Sequence, residues 1–149
     1  MKVKFSQFSK TSAMLLTIGV TLSGCASGLN SLEKRELKYF QRTDLAVDEK
    51  NVAIAGVLGI LPGGGSFYTE EYTFGVLNLL LWPASILWDP FSGINGAEQA
   101  NYAATKIRID RLKSEELDAL EDKLKAGSMQ LAQYTLEKNK ITKKFEPKL

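Results

Sequence analysis

The 149-residue chain predicts a mostly α-helical protein, with a membrane-proximal apolar helical hairpin followed by a C-terminal helix-turn-helix. Three observations predict it. Residues 51–97 contain no Lys or Arg and only three acids (Glu70, Glu71 and Asp89), set around two apolar runs. Leu117, Leu120 and Leu124 recur at helical spacing up to Gly127, and Leu131, Tyr134, Ile141 and Phe145 then lie roughly on one face of a second helix. A basic start and a short apolar core precede the single cysteine, Cys25.

Residues 1–10 carry Lys2, Lys4 and Lys10 and no acid, residues 13–22 form the apolar core, and small residues follow, the three-part layout of a secretory signal. The core is too short for a permanent span, which takes about 20 residues. Leu22-Ser23-Gly24-Cys25 then resembles the lipobox of bacterial lipoproteins. Small residues there let a peptidase hold the backbone, and the thiol takes the diacylglycerol. The resemblance implies cleavage after residue 24, two or three acyl chains on Cys25, and a location in the cell envelope. Ala26 after the cysteine, where Asp would retain the protein, implies the outer membrane, facing the periplasm.

Composition narrows the function classes. Loss of residues 1–24 removes three lysines and leaves 16 basic against 17 acidic groups, a net charge of −1, so a nucleic-acid partner loses its electrostatic support. There is no histidine, hence neither the commonest metal ligand nor the commonest general base. One cysteine allows no internal disulfide. No cofactor, no metal site and no catalytic residue are expected.

Residues 25–50 read as a lipidated tether, with a short helix at residues 32–41. Residues 51–97 are the hairpin. Its first run, residues 52–61, ends at Pro62-Gly63-Gly64-Gly65, and its second, residues 74–88, is interrupted by Pro83. Asp89-Pro90, Gly93 and Gly96 read as breakers that close it. The Gly-rich turn leading into Phe67-Tyr68, Gly75 at the start of the second run and Trp88-Asp89 at its end resemble the TM2 family of paired membrane helices. That family usually has a basic or imidazole residue where Ser66 stands, so the resemblance carries no polar role over to this turn. A phosphate-loop reading of Gly59 and Gly64 fails, because Gly65 stands before Ser66 where the motif requires lysine, and the phosphates lose their main positive partner.

Three placements of the hairpin are open. A 15-residue helix reaches only about 22 Å, against roughly 30 Å of hydrocarbon. A double span would also put the lysine-free loop with Glu70 and Glu71 in the cytoplasm, against the usual positive-inside bias. A re-entrant or interfacial hairpin ranks first, a hairpin buried against the C-terminal helices second, and a double span third. At an interface, Phe67, Tyr68, Trp82 and Trp88 are the expected membrane contacts.

Residues 98–149 read as helical. Residues 97–106 have a helical pattern, residues 106–112 alternate and could be extended, and Ser114 reads as the N-cap of a fresh helix with Glu115 and Glu116 in its first turn. Leu117, Leu120, Leu124, Ala126-Gly127, Met129, Tyr134, Lys138 and Ile141 resemble the SHOCT family of short C-terminal helical hairpins, over about residues 115–144. The resemblance implies assembly through Leu117, Leu120, Leu124, Tyr134 and Ile141. Gln130 stands where the family commonly has Thr and is a poor cap. The lysine-rich tail reads as a solvated terminus.

The expected function is a non-enzymatic, lipid-anchored envelope lipoprotein that meets membrane lipid through the hairpin and another copy, or an envelope protein, through its C-terminal helices. The alternative is an exclusion-type lipoprotein that occludes an outer-membrane receptor or porin. Glu70 and Glu71 are adjacent and point apart, so they form no acid–base pair, and Asp89 reads as standing alone.

Overall fold

The computed structural model describes residues 28–148. The signal and the expected lipidation site Cys25 lie outside the described residues. The chain is mostly helical, and no strand occurs among the described residues. It divides into two compact units. Unit 1 contains Gly28 and Val52–Gly96, and unit 2 contains Leu29–Asn51 and the chain from Ala97 onward.

Helix α1, Ser31–Arg42, begins in a capping box. The Asn30 side chain accepts from the amides of Leu32 and Glu33, and Glu33 accepts from the Asn30 amide at 2.8 Å. The helix buries Leu37 and Phe40. Residues after it are pinned to helix α5 (Asp89–Lys125) by side chains that substitute for a strand partner. Thr105 Oγ1 accepts from the Val47 amide at 2.9 Å, and Asn101 both accepts from the Lys50 amide at 2.7 Å and donates to its carbonyl at 2.8 Å.

In unit 1 the two apolar runs become helices α2 (Val52–Leu58) and α4 (Tyr72–Leu80), with the short α3 (Gly64–Tyr68) between them. A 3-10 turn, Ala84–Leu87, follows. No described helix is long and apolar enough to cross a membrane.

The expected breakers turn out to open and line α5. Pro90 sits in the first turn, where its missing amide leaves no bond unmade, and the Ser92 amide donates to the Trp88 carbonyl at 2.9 Å. Gly93 lies within the helix because a Cβ there would stand 2.6 Å from the Ala55 carbonyl oxygen. The glycine permits close backbone approach and does not end the helix.

Helix α5 also continues through two places where the sequence suggested an end. Residues 106–112 are helical, with Ile109 buried and Ile107 exposed. The inward positions are Thr105, Ile109 and Leu112, at helical spacing, so the apparent alternation was incidental. Ser114 is not an N-cap; it lies in mid-helix. The expected stop at Gly127 is present. That residue has φ +71°, and the Gly127 and Ser128 amides donate to the carbonyls of Leu124 and Lys123. Helix α6, Leu131–Phe145, follows with no side-chain bond from Gln130 at its start.

The core of unit 2 is Phe40, Ile109 and Phe145, one from each long helix, with Leu45, Leu112 and Ile141 against them. Lys144 of α6 also pairs with Glu116 of α5.

Candidate functional site

Unit 1 is built inside out. The buried residues of Val52–Gly96 are glycines, Ala55, Ser66, Asn78, Ser85 and Asp89, with no Val, Leu, Ile, Phe or Trp among them. The large apolar side chains face outward instead. Leu80 is 73% exposed, Leu87 74%, Phe91 68% and Val57 65%. Of the nineteen large apolar side chains that are exposed among the described residues, fifteen lie in this segment. In water, such an arrangement leaves the hydrophobic effect working against the fold.

The interior is a hydrogen-bonded chain. The Trp88 indole Nε1 donates to Asn78 Oδ1 at 2.8 Å. An indole only donates, so this bond fixes the Asn78 amide with its Nδ2 pointing the other way. Nδ2 donates to Asp89 Oδ1 at 2.7 Å and to Ser66 Oγ at 3.1 Å, and Ser66 Oγ donates to Asp89 Oδ1 at 2.8 Å. Each residue comes from a different place: Ser66 from α3, Asn78 from α4, and Asp89 from the first turn of α5.

Two oxygens of this interior have no donor. Asp89 Oδ2 and Glu71 Oε2 are buried without a hydrogen-bond partner. Glu71 follows α3, and its amide donates to the Ser66 carbonyl at 2.9 Å. Burial, and then the negative charge of Asp89, raise the Glu71 carboxyl above its ordinary 4.5. With no Lys or Arg between residues 51 and 97, this segment supplies no basic side chain of its own to compensate.

Asp89 therefore does not stand alone, and Ser66 has a polar role: it is a donor to Asp89. Ser66 is fully buried, so its hydroxyl is closed to substrate. No group of three or more acidic, histidine or cysteine side chains arranged to hold a metal ion occurs among the described residues.

The residues expected to meet membrane lie on unit 1. Trp82 is 55% exposed, Phe67 and Trp88 are less so, and Tyr68 is half-buried. Phe67 also covers Gly75, where a Cβ would stand 2.7 Å from its ring. This brings together two of the residues on which the TM2 resemblance rests. Of the residues expected to mediate assembly, Leu120 is buried, Ile141 packs on the Phe40–Ile109–Phe145 core, and Leu117, Leu124 and Tyr134 are half-buried.

Sequence reasoning missed Ser66 and Asn78. A signal was present, because polar side chains inside a long basic-free apolar stretch are costly unless they meet one another. No family model, no curated protein and no solved structure matches the chain.

Proposed function

We propose that this chain is a non-enzymatic envelope lipoprotein, anchored through acylated Cys25, whose unit 1 is immersed in one leaflet of the membrane. The observation that carries this reading is the inversion of unit 1, with polar and small residues inside and large apolar ones outside. Hydrocarbon is the solvent in which that arrangement is favourable, and small-residue helix contacts are those that membrane helices use. The nine-residue helix α4 is about 13 Å long, which suits a re-entrant or interfacial unit within one leaflet better than a span.

Gly28 supports the link to the anchor. It belongs to unit 1 and lies against the Asn95 side chain. Cys25 is three residues away, no more than about 11 Å of extended chain. The acyl chains of Cys25 and the apolar face of unit 1 thus enter the same leaflet. Ala26 directs the protein to the outer membrane, on its periplasmic side. The TM2-like reading fits unit 1, whose Phe67 and Gly75 touch. The SHOCT-like reading assigns α6 and the end of α5 to docking another copy or an envelope partner.

The test uses fatty-acid labelling and lipid contact together. Cells given labelled fatty acid label the wild-type protein and not Cys25→Ser. The chain from residue 26 onward, without lipid, still binds vesicles, and brominated acyl chains quench its tryptophan fluorescence. Label retained on Cys25→Ser removes the anchor. A monomer in buffer that ignores vesicles removes the immersed unit.

A further inference from the structure

We propose that unit 1 enters the leaflet end-on, with the turns that follow α2 and α4 nearest the bilayer midplane and the loop at residues 69–71 level with the lipid headgroups. The inference rests on the immersed reading above and adds the direction of immersion.

Unit 1 has two distinct ends, because α2 and α4 both run antiparallel to the start of α5. A Cβ on Gly56 would meet the Ile94 side chain at 3.0 Å, one on Gly93 would stand 2.6 Å from the Ala55 carbonyl oxygen, and Gly59 lies against Pro90. Later residues of α2 thus face earlier residues of α5. Just before α4, Thr69 lies against Gly96, where a Cβ would stand 2.8 Å from its Oγ1. Near the other end of α4, Asn78 donates to Asp89. One end of the unit therefore holds Val52, the 69–71 loop and Gly96. The other holds Asp89 and the turns that follow α2 and α4.

The two ends differ in chemistry. At the Asp89 end, Ile60, Leu61, Leu80, Leu81, Trp82 and Leu87 are each more than half exposed. The charged side chains of residues 52–96 are Glu70, Glu71 and Asp89. Asp89 is fully buried, and the other two lie at the opposite end, where Glu70 and Thr73 are exposed. The apolar end also satisfies its own backbone. The amides of Leu81, Trp82, Ala84, Ser85, Ile86 and Trp88 each donate to a carbonyl three or four residues back, and Pro83 has no amide to satisfy. Non-helical backbone is tolerated at membrane depth only where its polar groups are paired, and these donors need no water.

The anchor points the same way. Gly28 lies against Asn95, where a Cβ would stand 2.9 Å from the side chain, so it sits at the polar end beside Gly96. The glyceryl linkage of an acylated Cys25, three residues earlier, belongs at headgroup level with its chains pointing inward. Thr73 and Leu80, near the two ends of α4, are separated by about 10 Å of helix. One leaflet holds roughly 15 Å of hydrocarbon, so the apolar end stops short of the opposite leaflet.

The test uses the full lipidated protein in phosphatidylethanolamine–phosphatidylglycerol vesicles. With Cys25 acylated, a single new thiol from Thr73→Cys, Val76→Cys or Leu80→Cys takes a nitroxide label. The three positions are exposed and share one face of α4, so they differ in depth and not in side. Collisions with oxygen, which concentrates in hydrocarbon, and with a water-soluble nickel chelate report the depth of each label. The ratio of oxygen to nickel collisions should rise from residue 73 through 76 to 80, with the outer two about 10 Å apart in depth. Leu61→Cys, on the turn that follows α2, should match residue 80, so the result does not hang on one variant. Each variant should keep the helical circular dichroism of the parent. Equal depths, or a gradient in the other direction, overturn the proposal and leave the immersed unit standing. Labels that meet the nickel chelate at all four positions as freely as in water overturn both readings.

Discussion

Asn78 is the residue on which the interior of unit 1 turns. It accepts a hydrogen bond from the Trp88 indole and donates to both Asp89 and Ser66. Asn78→Ala leaves the Trp88 indole N–H without its acceptor and takes one of two donors from Asp89 Oδ1. Losing a hydrogen bond to a charged group costs about 1.5–3 kcal/mol, and the stranded groups add their own desolvation. The expected result is a fall in the thermal midpoint of the detergent-solubilised protein, with Trp88 emission shifting as its bond is lost. An unchanged midpoint would mean that water replaces the amide at no cost. Little of this was legible beforehand. Ser66, Asn78 and Asp89 lie 12 and 11 positions apart, with no periodic pattern linking them. The chain reversal at residues 69–71, between α3 and α4, and the turn around Pro83 bring them together. The sequence marks where polar groups are expensive, and the fold decides which of them meet.

Among the elements, those defined by local chemistry were the readable ones. The helix near residues 32–41 is present as α1, with one more residue at each end and a capping box at Asn30. The Gly127 turn is present because only a residue tolerant of positive φ ends a helix in that way. What was not readable in α5 depended on distant contacts. Asp89-Pro90, Gly93 and Gly96 carry local breaker signals, yet the helix runs over 37 residues. Pro90 falls in the turn that tolerates it, and the glycines serve close approach to α2 and to the Thr69 side chain. Ser114 would cap a helix only if the preceding turns were extended, and Ile109 anchors them as helix through Phe40 and Phe145. This identifies the contact that holds the C-terminal helices. Phe145 is buried at the end of α6 although much of that helix is exposed. A 15-residue helix is marginal by itself, so its stability must come from packing. Phe145→Ala should cost about 3 kcal/mol or more and release α6 first. Limited proteolysis would then cut within residues 128–145 ahead of α1. Leu131→Ala, at an exposed position, should leave both the thermal midpoint and the cleavage order as they are.

At the scale of the whole molecule, the two units obey opposite solvent rules, and their connectivity makes this testable. Unit 2 buries Phe40, Ile109 and Phe145 and carries its ion pairs outside, as a domain in water does. Unit 1 does the reverse. The Val52–Gly96 part of unit 1 is also an insertion: the chain leaves unit 2 after Asn51 and re-enters it at Ala97. The two ends are close, because the Lys50 main chain is bonded in both directions to Asn101, about 6 Å along α5 from Ala97. An insertion whose ends are held together by the host can be removed without unthreading the host. Replacing residues 52–96 with a short Gly-Ser linker, in the unlipidated chain, should therefore leave a helical protein that unfolds cooperatively on heating. It should stay dispersed in buffer without detergent and lose vesicle binding altogether. The intact unlipidated chain, carrying fifteen of the exposed large apolar side chains within the removed segment, should need lipid or detergent. Placing Asn101→Ala in the linker variant provides the internal control. If Lys50 and Asn101 hold the ends, their separation should lower the melting temperature of that variant. If instead the linker variant is unfolded, unit 2 depends on unit 1 for its fold, and the proposed division into a lipid-facing insertion and a water-facing host fails.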